Sequence, residues 1–194
     1  MRKLSLIVAV VVATFGALSA SAQSQCASVY NPGSYWAACN YIYNGGFVGS
    51  MSPWQTNNSN FDVTHSGQYI CNSWSNFEKS TGTLPTAFLW QTFTTNSTYG
   101  PTFSVSYTWQ LENAHNDSYN DVEVGVYNVT DGVYEAVDHL NGGAGDIWCD
   151  TRNIQLYRPQ WVGKQLTLYI YQNFDTSDTA SKLTSVTFYQ QLGF

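Results

Sequence analysis

The sequence predicts an all-β domain that folds as a two-sheet antiparallel β-sandwich. Beyond the first 22 residues no helical periodicity is sustained, whereas short alternating runs of β-branched and aromatic residues recur along the chain. Clusters of Gly, Asn, Asp and Pro separate these runs at the spacing of a sandwich. The predicted strands lie near residues 67–72, 87–95, 102–111, 120–129, 135–140, 150–157, 165–174 and 183–191.

The N-terminus has the residue order of an export signal. Met1–Lys3 carry the positive charge, Leu4–Leu18 form an apolar run, and small residues follow as far as Ala22. The apolar run is shorter than the roughly 20 residues that a membrane-spanning helix needs. We therefore expect cleavage after Ala22, secretion, and a mature chain without a membrane segment. An uncleaved anchor is the alternative interpretation.

Composition narrows the class of partner. The formal net charge is −6, and it becomes −8 when Arg2 and Lys3 leave with the signal. The fixed cations that remain are Lys79, Arg152, Arg158, Lys164 and Lys182. So few cations argue against a surface that binds nucleic acid or anionic lipid. The abundance of Asn, Ser, Thr, Tyr and Trp suits a neutral polar partner.

Four cysteines in an exported chain predict two disulfides. Three pairings are possible, and we favour Cys26 with Cys39, which staples an irregular N-terminal segment, and Cys71 with Cys149, which ties distant parts of the sandwich. Metal ligation by cysteine is the competing interpretation, but the sequence has no Cys-x-x-Cys spacing and its histidines are scattered. The expected organisation is a signal peptide at 1–22, the stapled segment at 23–43 and one sandwich domain at 44–194.

Alternation within the strands predicts which side chains face the core, because successive residues of a strand point to opposite faces. Three strands carry apolar residues at every second position: Phe103, Val105, Tyr107 and Trp109; Val122, Val124 and Val126; and Leu166, Leu168 and Ile170. The same pattern places Trp54 and Trp161 in the core. Opposite the apolar residues of the last two strands lie Tyr127, Tyr169 and Tyr171, on a side that we expect to face water.

Five short segments occur in a recognisable order between residues 40 and 191. They are Asn44-Gly45-Gly46-Phe47 with Ser52-Pro53-Trp54, Leu89–Phe93, Phe103–Tyr107, Trp161–Lys164 ahead of Leu166–Ile170, and Leu183–Phe188. In this order they resemble the Asn-Gly-Gly-Phe-Glu and Pro-Trp opening and the later strands of carbohydrate-binding modules with the galactose-binding-like jelly-roll fold. The resemblance implies a jelly roll that binds a polysaccharide or another glycan.

The same resemblance implies a calcium site, because these modules often hold the ion with oxygen ligands at their first and last strands. This sequence departs from the family pattern at both places. Val48 replaces the opening acid, and Thr184 and Ser185 stand where the family usually has an Asp pair. Without these carboxylates, most of the charge that a hard cation needs is missing. We therefore expect no calcium at this site and no other cofactor.

Jelly-roll connectivity would place the strands near 87–95, 165–174, 120–129 and 135–140 side by side in one sheet. The outward residues of these strands then converge: Trp90, Glu123, Tyr127, Tyr169 and Tyr171, with His139 or Asp138 at the edge. Sugars present an apolar C–H face and a ring of hydroxyls, so they need flat aromatic platforms and a few polar groups. We therefore predict a non-catalytic, lectin-like module with this face as its site. The plainer interpretation is that the rings only cover the sheet.

Two other functions fit parts of the pattern. A small jelly-roll glycoside hydrolase would need two carboxyl groups, and Glu123 is the acid to test, paired with Glu112, Glu135 or Asp138. No segment resembles the glutamate-bearing strands of the small xylanases or cellulases. An extracellular structural or adhesive domain would instead bury the aromatic face against a protein partner.

Overall fold

The computed structural model describes residues 25–31, 34–46, 52–56, 61–62, 77–79, 86–112, 121–141, 147–173 and 180–192. Within these ranges the chain forms antiparallel strands and one 3-10 turn at Pro159–Trp161. In chain order the strands are β1 (Gln25–Asn31), β2 (Ser34–Asn40), β3 (Gln55–Thr56), β4 (Phe61–Asp62), β5 (Phe77–Lys79), β6 (Thr86–Thr94), β7 (Thr102–Glu112), β8 (Asp121–Asn128), β9 (Val133–Asn141), β10 (Ile147–Tyr157), β11 (Gln165–Asn173) and β12 (Ala180–Gln191).

The strands form two sheets, which confirms the predicted all-β sandwich. Sheet 1 has the order β1-β2-β12-β5-β4, with β7 also paired to β12 and β10 paired to β7. Sheet 2 has the order β3-β6-β11-β8-β9, so the four strands predicted to lie side by side do so. Each predicted strand from 87–95 onward is present, with its ends within three residues of the prediction. The strand predicted near 67–72 lies outside the described residues.

The N-terminal segment is regular, although we expect an irregular segment from the sequence. β1 and β2 form an antiparallel hairpin, and β2 continues sheet 1 by pairing with β12. The description of this segment as irregular is therefore wrong. The missed signal is Pro32-Gly33, a turn dipeptide between two runs of strand-forming residues.

The Cys26–Cys39 disulfide is present, as predicted. The two cysteines are directly opposite each other in the β1–β2 register, so the bond fixes the pairing of the hairpin. The second predicted bond, Cys71–Cys149, lies outside the described residues and side chains. The predicted export signal at 1–22 also lies outside them, and among the described residues no helix combines the length and the apolar character that a membrane crossing requires.

The core lies between the two sheets and follows the alternation pattern. All the inward residues predicted for β7, β8 and β11 are at most 2% exposed. Trp54, Trp109 and Trp161 also belong to this core, as predicted. Trp161 packs edge-on against Phe103, with ring centroids 5.5 Å apart, and at 6.0 Å from the ring of Phe188. The 3-10 turn that carries Trp161 is thereby tied to the centre of the sandwich.

Candidate functional site

Side chains on the outer face of sheet 2 form rows that cross the strands, and three consecutive rows carry the aromatic rings. The register places Phe88, Tyr171, Glu123 and His139 in the first row, Gln55, Trp90, Tyr169, Gly125 and Ala136 in the second, and Thr92, Thr167, Tyr127 and Tyr134 in the third. All five residues predicted for the binding site are therefore on one face. We call the six rings of these rows the aromatic face: Phe88, Trp90, Tyr127, Tyr134, Tyr169 and Tyr171.

The aromatic face is more buried from solvent than the alternation pattern indicates. Trp90, Tyr127 and Tyr169 are only 6%, 8% and 1% exposed, so the expectation that the tyrosine side of these strands faces water is wrong for the inner rings. These rings form a second apolar cluster, separate from the core between the sheets. The remaining rings, Phe88, Tyr134 and Tyr171, are half-buried and pack against that cluster.

Tyr169 is held in place from three sides. Its ring lies over Gly125, where a Cβ would stand 1.7 Å from the phenol oxygen. Its hydroxyl donates a hydrogen bond of 2.8 Å to Oε1 of Glu123. The ring of Tyr134 stacks on it at 5.1 Å between centroids, with 20° between the ring planes. Tyr169 is thus a support for Tyr134 and Glu123 rather than an open platform.

The other end of the aromatic face is built from Phe88 and Tyr171. Their ring centroids are 4.6 Å apart, and the residues are direct cross-strand neighbours on β6 and β11. Trp90 lies in the next row, and its Nε1 donates a hydrogen bond of 2.8 Å to Oε1 of Gln55. Between this end and the Tyr134 end lies Glu123, with exposed His139 opposite it on β9.

Sequence reasoning missed two of the half-buried rings. Phe88 shares the face of Trp90 on the same predicted strand, so the alternation pattern could have found it. Tyr134 could not be found in that way, because the β8–β9 register shifts between Val124 and Gly125. This bulge adds one residue to β9, so that Ala136 and Tyr134, rather than Val137 and Glu135, share the face of His139.

The acids considered as partners of Glu123 lie elsewhere in the described structure. Asp138 and Glu135 are opposite the inward-facing Val124 and Val126 on β8. Asp138 accepts a hydrogen bond of 2.6 Å from the hydroxyl of Tyr107, and Glu135 forms an ion pair with Arg158. His139, and not Asp138, is the residue at the edge of the face. Glu112, the remaining candidate, is on β7 in sheet 1.

Burial shifts the ionisation of several tyrosines. Desolvation, followed by the charge of Glu123 and its hydrogen bond, raises the pKa of Tyr169. Desolvation and the hydrogen bond to Asp138 raise the pKa of Tyr107. Desolvation raises the pKa of Tyr41 to about 12, in a network in which its hydroxyl donates to Gln190 at 2.7 Å.

Raising the pH above about 10 is expected to destabilise the folded protein. An unfolded tyrosine ionises near pH 10, whereas folded Tyr41 keeps its proton to about pH 12. The unfolded chain therefore releases protons that the folded chain retains, and stability that is complete below about pH 10 falls toward pH 12. Urea unfolding at a series of alkaline pH values measures this decline. Tyr41→Phe should make it shallower, and an unchanged slope would contradict the assignment.

The region where the resemblance implies a calcium site, which we expect to be lost, is only partly described. Gly45 packs against the last strand, where a Cβ would stand 1.8 Å from the carbonyl oxygen of Val186, and its own carbonyl accepts a hydrogen bond of 2.8 Å from the Val186 amide. This contact accounts for a glycine in the Asn44-Gly45-Gly46 segment. Val48 and the side chain of Thr184 lie outside the described part of the chain. Among the described side chains, no group of three or more His, Cys, Asp or Glu could hold a metal ion.

Comparison with known proteins shows what this fold is similar to. No family model and no curated protein matches the sequence. A solved carbohydrate-binding module, TmCBM61 in complex with β-1,4-galactotriose, superposes with a TM-score of 0.55 and 14% identity, over 78% of this chain and 98% of that chain. A family 16 carbohydrate-binding module superposes with a TM-score of 0.52 and 14% identity, over 76% of this chain and 97% of that chain.

A larger enzyme contains a similar domain. The arabinose-bound α-L-arabinofuranosidase MgGH51 superposes with a TM-score of 0.53 and 11% identity, over 78% of this chain but only 26% of that chain. This chain thus spans about a quarter of the enzyme and nearly the whole of each module. The chain has the β-sandwich fold of these carbohydrate-binding modules.

Proposed function

We propose that the chain is a secreted, non-catalytic module that binds a neutral glycan across the outer face of sheet 2. The observation that carries the proposal is the contiguous set of six rings on that face, outside the core between the sheets. A sugar ring stacks its C–H face on an aromatic ring, and neighbouring amide and carboxylate groups bind its hydroxyls. Gln55, Glu123 and His139 supply such groups beside the rings.

The burial of the rings divides them into two layers. Phe88, Tyr134 and Tyr171 are half-buried and provide the surface that a sugar would touch. Trp90, Tyr127 and Tyr169 lie beneath or between them and fix their positions. We therefore assign ligand contact to the half-buried rings and Glu123, and support to the inner rings.

The non-catalytic part of the proposal rests on the placement of the acids. Hydrolysis of a glycosidic bond normally needs two carboxyl groups about 5–10 Å apart on either side of the bond. In the three rows described above, Glu123 is the only carboxylate, and Glu135 and Asp138 face the other side of β9. The register places Asp121 in the next row, two residues from Glu123 along β8, and the assay for released sugar therefore also tests this pair of acids.

A glycan array that includes β-1,4-galactan, xylan and arabinan, run beside an assay for released reducing sugar, tests the proposal. Binding without turnover is the expected result. Turnover that disappears in Glu123→Gln would instead show a hydrolase. An array without any binding would overturn the proposed function.

Two variants then test the face itself. Tyr171→Ala and Tyr134→Ala should each weaken glycan binding about tenfold, since loss of one stacking ring removes on the order of 1.4 kcal/mol. Tyr157→Ala is the matched control, because Tyr157 is 66% exposed on β10 of sheet 1. Titration calorimetry with the best ligand from the array measures all three. Equal losses in the three variants, or none, would show that the glycan binds elsewhere.

A further inference from the structure

We infer that the aromatic face, besides binding neutral glycans, also binds glycans of the same linkage that carry a free amino group, and that it binds these more tightly. This inference rests on the proposed function, and it adds a ligand preference to it. The feature behind it is the position of Glu123 among the rings.

Glu123 is the only carboxylate in the three rows that carry the rings, and those rows contain no lysine or arginine. The register places a second acid, Asp121, in the next row along β8. Tyr171 is directly opposite it on β11, at the roughly 5 Å that separates cross-strand neighbours. On the next row Tyr169 donates its hydroxyl to Oε1, and Tyr134 stacks on Tyr169. The carboxylate therefore lies between the two ends of the aromatic face.

A negative charge beside aromatic rings suits an ammonium group. The faces of aromatic rings attract a cation that comes within about 6 Å, and the attraction increases where water is excluded. An ammonium group has three donors, and a carboxylate can accept more than the one hydrogen bond that Tyr169 donates. A sugar hydroxyl at the same place would gain a hydrogen bond without the charge.

The charges elsewhere in the described structure are consistent with this preference. Three basic side chains are described outside these rows, and each forms an ion pair: Arg152 with Asp150, Arg158 with Glu135, and Lys164 with Asp131. The whole chain has a formal net charge of −6. The negative net charge therefore attracts a cationic ligand at long range, and Glu123 provides the specific contact.

Three β-1,4-linked oligosaccharides of equal length test the inference, because they differ only at C2. Oligomers of glucosamine, N-acetylglucosamine and glucose carry an ammonium, an acetamide and a hydroxyl there. We expect the glucosamine oligomer to bind about tenfold more tightly than the glucose oligomer at a pH where its amines are protonated. Equal affinities would overturn the inference and leave the proposed function standing.

Glu123→Gln separates the specific contact from general attraction, because it removes the charge and keeps a carbonyl oxygen for Tyr169. It should abolish the preference for the amine, so that the glucosamine and glucose oligomers bind with equal affinity, and the measured quantity is this ratio because Glu123 also contacts the neutral glycan. Glu135→Gln is the matched control, since it removes the same charge from the opposite side of β9. If both variants reduce the preference equally, the attraction comes from net charge and the inference fails.

Salt provides a measurement that does not depend on any variant. In the unmodified protein, raising the ionic strength should reduce the preference for the amine, because it screens a partly exposed charge. A preference that is insensitive to salt would contradict the role of Glu123. Failure of the glucosamine oligomer to bind would also overturn the inference, whereas the proposed function depends on the whole array.

Discussion

Replacing Gly125 with alanine should expel the Tyr169 ring from its place and lower the free energy of unfolding by about 3 kcal/mol. The new Cβ would stand 1.7 Å from the Tyr169 oxygen and 2.2 Å from Cζ. Tyr169 would have to leave its hydrogen bond with Glu123 and its stack with Tyr134. Glycan binding should fall more than tenfold, because Tyr134 and Glu123, which we assign to ligand contact, would both lose the support of Tyr169.

A double-mutant cycle identifies the cause of this loss. Once Tyr169→Ala has removed the ring, Gly125→Ala should cost little further stability, since the clashing atoms are absent. Gly132→Ala is a second control, because a Cβ at Gly132 would meet no atom within 4 Å, although the φ of +69° there adds backbone strain. Urea unfolding of the four cycle members measures the coupling. Additive effects would mean that Gly125 does not act through Tyr169.

Removing the Cys26–Cys39 disulfide with the pair Cys26→Ala and Cys39→Ala is expected to lower the free energy of unfolding by about 3 kcal/mol. The bond joins residues separated by 13 positions. Without it, the unfolded chain gains conformational entropy, and this favours unfolding. Cys39 is fully buried in the core, so its replacement also removes packing contacts. Urea unfolding without reductant measures the change. Coincident unfolding curves would contradict a stabilising role.

The consequence for binding provides a control within the same experiment. The hairpin belongs to sheet 1, whereas the aromatic face is on sheet 2. At low temperature, where the variant remains folded, its glycan affinity should therefore equal that of the unmodified protein. A loss of affinity in the folded variant would show that the hairpin contributes to the site.

Sequence periodicity was sufficient where a strand has one apolar and one polar side. Phe103 to Trp109 on β7 alternate without interruption, and the structure buries the expected set. The order of strands in sheet 2 followed from the resemblance, and it brought Trp90, Glu123 and Tyr169 to one face.

Periodicity revealed neither the position of Tyr134 nor the burial of the outer face, and each failure has a physical cause. The bulge in β9 is a change of register, and a register depends on the partner strand, so the sequence around Tyr134 and Glu135 does not encode it alone. The outer face is buried because its rings cover one another, as Tyr134 covers Tyr169. This burial depends on contacts between side chains of different strands. A strand-by-strand pattern contains neither kind of information.

Residues Leu166 to Ile170 of β11 are all buried, because the core covers one side of the strand and the inner rings cover the other. This arrangement limits how the outer face can change during evolution. Substitutions at Trp90, Tyr127 or Tyr169 alter the packing of a second hydrophobic layer, so selection on fold stability restricts them. Phe88, Tyr134 and Tyr171 are freer to vary, and divergence in ligand preference among descendants of this chain would accumulate first at those three positions.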